Sequence, residues 1–174
     1  MLIAFCGLPG SGKTTLARSL AHRLQATYLR IDTIEDVLLA DDGAPLVGRG
    51  AGYCVAYAIA EDNLKLGRTV ITDSVNAIKI IREAWREVAR RAGVTLVDVV
   101  VTCSDSAQHQ SRVTARPPGT RGSDWAEILN REFDAADDKA IVIDTADRTV
   151  EQCLATLEAL LPVRTQWMRA SASG

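Results

Sequence analysis

Residues Gly7 to Thr14 read GLPGSGKT. The apolar run LIAFC (2–6) precedes them, and KTTLARSLAHRL (13–24), with apolar residues at helical spacing, follows. Strand, glycine-rich turn and helix, with the spacing G-x-x-x-x-G-K-[ST], describe a phosphate-binding loop. Its glycines let the backbone wrap an anion with N–H groups aimed inward at a helix N-terminus. Gly7, Leu8, Pro9, Gly10, Ser11 and Gly12 would form the cradle. Lys13 would reach the β- and γ-phosphates of a nucleotide, the Thr14 hydroxyl would ligate Mg²⁺, and Thr15 would add a hydroxyl near the α-phosphate. A plain strand-to-helix turn has no use for that Lys and Thr.

Outward from this loop, apolar β-branched runs alternate with helical segments. Strands are expected at 2–6, TYLRI (27–31), TVITD (69–73), VTLVDVVVTC (94–103) and AIVID (140–144). Helices are expected at 13–24, 32–40, 51–67, 77–93, about 105–115, about 123–136 and 149–161. Strands that alternate with helices make a parallel sheet covered on both faces, so the class is α/β. Right-handed crossovers put the phosphate loop at the carboxyl edge of the sheet.

The 174 residues suffice for one domain with a real core, expected over 1–165, and a short frayed tail over 166–174. A net charge of -2 argues against broad electrostatic capture of nucleic acid or membrane, though not against a local basic groove. No stretch reads as a secretory signal or a membrane span. The cysteines, Cys6, Cys54, Cys103 and Cys153, have neither C-x-x-C nor zinc-finger spacing. Four buried thiols in a reducing cytoplasm is the expectation.

A guanine-reading N-K-x-D segment is missing after the last strand, which continues IVIDTADRT, so a GTPase is disfavoured. Motor ATPases need a longer chain. GLPGSGKTTLA, LRIDTIEDVL, VITDSVN and HQSRVTARPPGTR together resemble the small P-loop kinases: adenylate-kinase-like enzymes, gluconate and shikimate kinases, chloramphenicol phosphotransferase and polynucleotide 5′-kinases. The resemblance implies a three-layer fold with strand order 2-3-1-4-5, ATP and Mg²⁺ as cofactors, and an alcohol as phosphoryl acceptor. It also implies an acceptor region at about 41–67 and a lid at about 112–125.

Asp32 ends the second strand at the loop-bearing edge, where the resembling kinases keep an Asp that takes the proton of the attacking hydroxyl. An N-cap explains the same residue, since DTIE fits D-x-x-E. Polynucleotide kinases carry D-x-x-R here, and Glu35 stands in the Arg position. Arg30, by strand alternation from Asp32, is expected on the wrong face to replace it. Asp73 ends the third strand, where an acidic residue holds the Mg²⁺ hydration shell or meets the acceptor; a strand-end turn is the plain alternative. Asn76 follows it as a weaker acceptor-side candidate.

Arg112 and Arg116 share a helical face, and Arg121 lies beyond them in the Pro/Gly-rich loop. The resemblance makes them lid arginines that close on the transferring phosphoryl group, with Arg116 first among the three. Tyr53 and Tyr57, one turn apart, either flank a small acceptor or pack in the core, and Glu61 extends their face. Arg49 is the lone cation of the preceding loop. Thr145, in the loop after the last strand, is expected beside the adenine, as in the resembling enzymes. His22 and His109 read as ordinary helix residues. The expected partner is a small-molecule acceptor. Transfer to the 5′-hydroxyl of a polynucleotide, and a nucleotide-dependent switch without transfer, are the alternatives.

Overall fold

A computed structural model describes residues 1–40, 50–117, 120, 122, 124–134 and 137–162, without the side chains of residues 39 and 40. The expectations for Arg49, Arg121 and the 166–174 tail lie outside the described residues.

The elements run β1 (Leu2–Cys6), α1 (Lys13–Leu24), β2 (Thr27–Arg30), α2 (Ile31–Ala40), α3 (Ala51–Lys65), β3 (Val70–Asp73), α4 (Lys79–Ala92), β4 (Leu96–Thr102), α5 (Ser106–Thr114), α6 (Trp125–Leu129), β5 (Ile141–Asp144) and α7 (Val150–Leu160). The strands form one parallel sheet in the order β2-β3-β1-β4-β5. The α/β class and the strand order stand as expected.

β1 explains why the sheet is covered twice. All five of its residues are buried. Ile3 and Phe5 join the core under α1 and α7, with Leu16, Leu20, Leu154 and Leu157. Leu2 and Ala4 face the other way, into the core under α2, α3 and α4 with Ile31, Ala56, Ala60 and Trp85. A period of two inside a wholly apolar run is the mark of a central parallel strand.

The helix ends follow local chemistry. Asp105 caps α5 by accepting from the Gln108 N–H at 2.9 Å, and Thr149 forms a capping box with Gln152 on α7. Gly93 ends α4 in the left-handed region.

Three expectations need correction. β2 stops at Arg30 and α2 begins at Ile31, so Asp32 sits in the first turn of a helix rather than at the end of a strand. The helix expected over 123–136 is only Trp125–Leu129, capped by Asp124. The four cysteines are all free, but only Cys6 and Cys153 are buried; Cys54 is exposed on α3 and Cys103 is intermediate. Among the described residues, no helix is long and apolar enough to cross a membrane.

The register fixes the working edge. Arg30 of β2 and Phe5 of β1 both pair with Asp73 at the end of β3. The phosphate loop leaves β1 immediately beyond this row.

Candidate active site

Gly12 caps α1 in the left-handed region and places no side-chain acceptor on the helix N-terminus. The first-turn N–H groups are thereby left to face a ligand. Next to them a cavity of about 440 Å³ is lined by Pro9, Gly10, Gly12, Lys13, Thr14, Thr15, Arg18, Arg30, Asp32, Arg112 and Arg116. Six of these belong to the loop and the start of α1. Six of the nine expected phosphate-loop residues therefore line one space, and Gly7, Leu8 and Ser11 do not line it.

Lys13 is buried, and burial lowers its pKa. Asp73 and Asp32 attract its charge and oppose that shift, whereas Arg116 and Arg30 repel it. Cations crowding one space leave a net demand for an anion.

Asp73 is almost wholly buried. Its Oδ2 accepts from the Tyr28 hydroxyl at 2.7 Å, while its Oδ1 has no hydrogen-bond partner. Burial and this bond push the Tyr28 phenol up, so it remains a donor. Arg30 Nη2 donates to Asp32 Oδ2 at 3.0 Å, and Arg30 Nε lies 3.9 Å from Asp73 Oδ2. The expected wrong-face position of Arg30 is thus overturned. Residues two apart on a strand share a face, so alternation gave no ground for the opposite-face expectation, and the helix that starts at Ile31 brings Asp32 back to Arg30.

A second cavity, of about 370 Å³, lies beside the first. It is bounded by α2 (Ile31, Asp32, Glu35), α3 (Tyr53), Val75 after β3, and Gly122, Glu127 and Arg131 from the region around α6. Pro9, Lys13, Asp32 and Arg116 line both cavities. Glu127 and Arg131 form an ion pair of 2.8 Å on the wall.

The two tyrosines separate. Tyr53 lines the second cavity. Tyr57 turns to the core, where it meets Trp85 edge-on with ring centroids 4.4 Å apart. Glu61 pairs with Lys65 and Arg91 at the surface and takes no part in either cavity. Asn76 also lines neither cavity: its amide donates to the Phe5 carbonyl at 2.8 Å and accepts from Trp85 Nε1 at 3.2 Å. Asn76, with a positive φ, fastens the turn after β3 to β1 and α4.

Arg116 donates to the Gly122 carbonyl at 2.8 Å. Burial lowers its pKa and Asp32 raises it. Arg112 is bonded to Thr145 Oγ1 at 2.7 Å, to the Thr145 carbonyl at 3.1 Å and to Gln108. Thr145 in turn touches the Ser11 carbonyl at 2.9 Å. Thr145 thus stands behind the phosphate loop and joins it to α5.

Sequence reasoning missed His109, Tyr28, Arg30, Glu35, Glu127 and Arg131. His109 is buried, its Nε2 lies 2.8 Å from the Pro9 carbonyl, and Trp125 stacks edge-on against its ring at 5.0 Å. For Tyr28 and Arg30 a signal did exist, since they are two apart on one strand and share a face. Glu35 was read as part of the DTIE cap and His109 as an ordinary helix residue, while Glu127 and Arg131 lie in a segment with no motif.

The AAA domain family matches residues 2–140. A curated protein of Aeropyrum pernix, named "Probable adenylyl-sulfate kinase", is 25% identical over 92% of this chain and 92% of its own length. Among solved structures, the Mycobacterium tuberculosis APS kinase CysC in complex with AMPPNP and APS superposes with a TM-score of 0.72 at 20% identity, over 93% of this chain and 97% of that one. Chaetomium thermophilum Kti12 in complex with ADP-AlF3 gives 0.69 at 22% identity, over 94% and 100%. With its phosphate loop, its strand order and four fifths of its length matched, the chain belongs to the AAA domain family and is one of its P-loop kinase domains.

Proposed function

We propose that the chain is an ATP-dependent phosphotransferase that moves the γ-phosphoryl group of Mg-ATP to a hydroxyl of a small-molecule acceptor. The observation that carries this reading is the meeting of two cavities at Lys13, Asp32 and Arg116. ATP would occupy the cavity of the phosphate loop and the acceptor the one beside it. An acceptor oxygen attacks phosphorus, the bond from phosphorus to the β-bridging oxygen breaks, and ADP leaves. The hydroxyl proton passes to the Asp32 carboxylate. Lys13 and Arg116 hold the charge that builds on the transferring group.

Mg²⁺ fits the residues present. Asp73 Oδ1 is buried without a partner, and Thr14 lines the phosphate cavity. Among the described residues no group of three His, Cys, Asp or Glu side chains is placed to hold a metal. One carboxylate and one hydroxyl, completed by phosphate oxygens and water, is the ligand set this ion takes with nucleotides. When bound it would neutralise charge on the β- and γ-phosphates.

The unshared wall of the acceptor cavity bears on the acceptor. Among the described residues Glu35, Glu127 and Arg131 line this wall, and Glu127 pairs with Arg131. Acidic and basic side chains on one wall suit a polar acceptor that hydrogen-bonds to both.

The test is ADP release from Mg-ATP across sugars, amino sugars, nucleosides, phenicol-type antibiotics, adenylyl sulfate and 5′-hydroxyl oligonucleotides, with Asp32→Ala in parallel. The expected result is acceptor-dependent release that falls ~10²–10⁴-fold in the variant. Slow hydrolysis that ignores every acceptor and the variant alike would replace this reading with a nucleotide-dependent switch.

A further inference from the structure

Arg30 is the last residue of β2, and its side chain lines the phosphate cavity with Lys13, Thr14 and Thr15. Its Nη2 is bound to Asp32, and its Nε is buried without a hydrogen-bond partner. Asp73 Oδ2, 3.9 Å from that Nε, already accepts from Tyr28. The fork therefore carries an unspent buried N–H, on a side chain that lines the phosphate cavity. A guanidinium fork matches phosphoryl oxygens better than any other side chain does. Its charge also reaches Lys13, which it and Arg116 repel together.

The geometry points to Arg30 as a further catalytic residue that grips the oxygens of the transferring phosphoryl group, releasing Asp32 as it does so. This assignment rests on the phosphotransferase reading. Without nucleotide, the guanidinium occupies one of the two Asp32 oxygens. When phosphoryl oxygens arrive they offer the fork a stronger partner, and both Asp32 oxygens become open to the acceptor hydroxyl. Arg30 makes and breaks no covalent bond and keeps its proton throughout.

The experiment titrates MgADP, with and without aluminium fluoride, into wild-type protein, Arg30→Gln and Arg30→Lys. Aluminium fluoride mimics the transferring group and needs no acceptor. Wild-type protein is expected to bind MgADP at least about tenfold tighter with the fluoride. Arg30→Gln should lose most of that gain while its affinity for MgADP alone stays within about threefold, and Arg30→Lys should keep part of it. Retention of the full gain in Arg30→Gln would show that Arg30 does not touch the phosphoryl group. An equal loss for MgADP alone would reduce Arg30 to a support of the loop. Should Arg30→Gln not fold, Arg30→Lys carries the same comparison. A wild-type protein with no gain would remove the transfer reading and this assignment with it.

Discussion

His109 donates from Nε2 to the Pro9 carbonyl across 2.8 Å, so a histidine on α5 holds the middle of the phosphate loop. A carbonyl only accepts, which fixes the ring proton on Nε2. Trp125 closes the other side of the ring. His109→Phe keeps the ring packing and leaves the Pro9 carbonyl without its donor. The expected cost is about 1–3 kcal/mol of stability, together with a higher KM for ATP and a smaller change in kcat. His109→Gln, which restores an N–H donor, should recover part of both. Urea unfolding and steady-state kinetics check this, and a kcat loss with unchanged KM would contradict it.

Arg112 and Arg116 divide the work expected of them jointly. Arg112 is spent on Gln108 and Thr145, whereas Arg116 holds one carbonyl and lines both cavities. Arg116→Ala should lower kcat by ~10³-fold or more, the scale of an arginine that meets the transferring group. Arg112→Ala should instead weaken nucleotide binding, because Thr145 loses its tie to α5. Mant-nucleotide titration alongside kinetics separates the two effects, and matching profiles for the two variants would refute the division.

What the sequence made legible was local or periodic. GLPGSGKT is one uninterrupted motif, and β1 announces a doubly covered strand by being apolar throughout. Arg30 went astray because alternation was miscounted. Residues two apart on a strand share a face, so period two itself puts Arg30 on the side of Asp32, and the backbone turns into α2 between them. Tyr53 and Tyr57 have the same spacing logic, yet Trp85, 20 positions beyond the end of α3, captures one and not the other. The acceptor wall is assembled from α2, α3 and the α6 region. Nothing along the chain links Glu35 to Glu127 before the fold brings them to one cavity.

Asp98 gives a pH prediction away from the active site. Burial is the largest effect on its carboxyl and raises the pKa above 3.8; Arg86 partly offsets this, and Asp137 adds to it. The folded chain therefore holds this proton more tightly than the unfolded chain. The stability Asp98 contributes is full below the unfolded pKa and is lost as pH rises through the folded one. Asp98→Asn does not titrate. Its stability relative to wild type should thus rise as pH climbs from about 4 toward 7 and then level off. Urea unfolding at stepped pH measures the difference; a flat difference would mean that Arg86 cancels the burial.

Gly10 is held by two separate constraints, and a double-mutant cycle can part them. Its φ is +82°, and a Cβ built there would lie 2.5 Å from Val113 Cγ2 and 3.1 Å from His109 Cδ2. The first constraint costs an L-residue about 1–2 kcal/mol wherever it occurs. The second is a collision with α5, the same helix that carries His109. Gly10→Ala should therefore weaken Mg-ATP binding by at least about tenfold, since loop and helix must both shift. Val113→Ala removes the colliding methyl but not the backbone strain. In the double variant the binding loss should shrink toward the strain alone, leaving a coupling energy above about 0.5 kcal/mol between the two sites. Strict additivity would show that the loop tolerates the clash by moving away from α5, and that the packing of Pro9 and Gly10 against that helix is not what shapes the cradle.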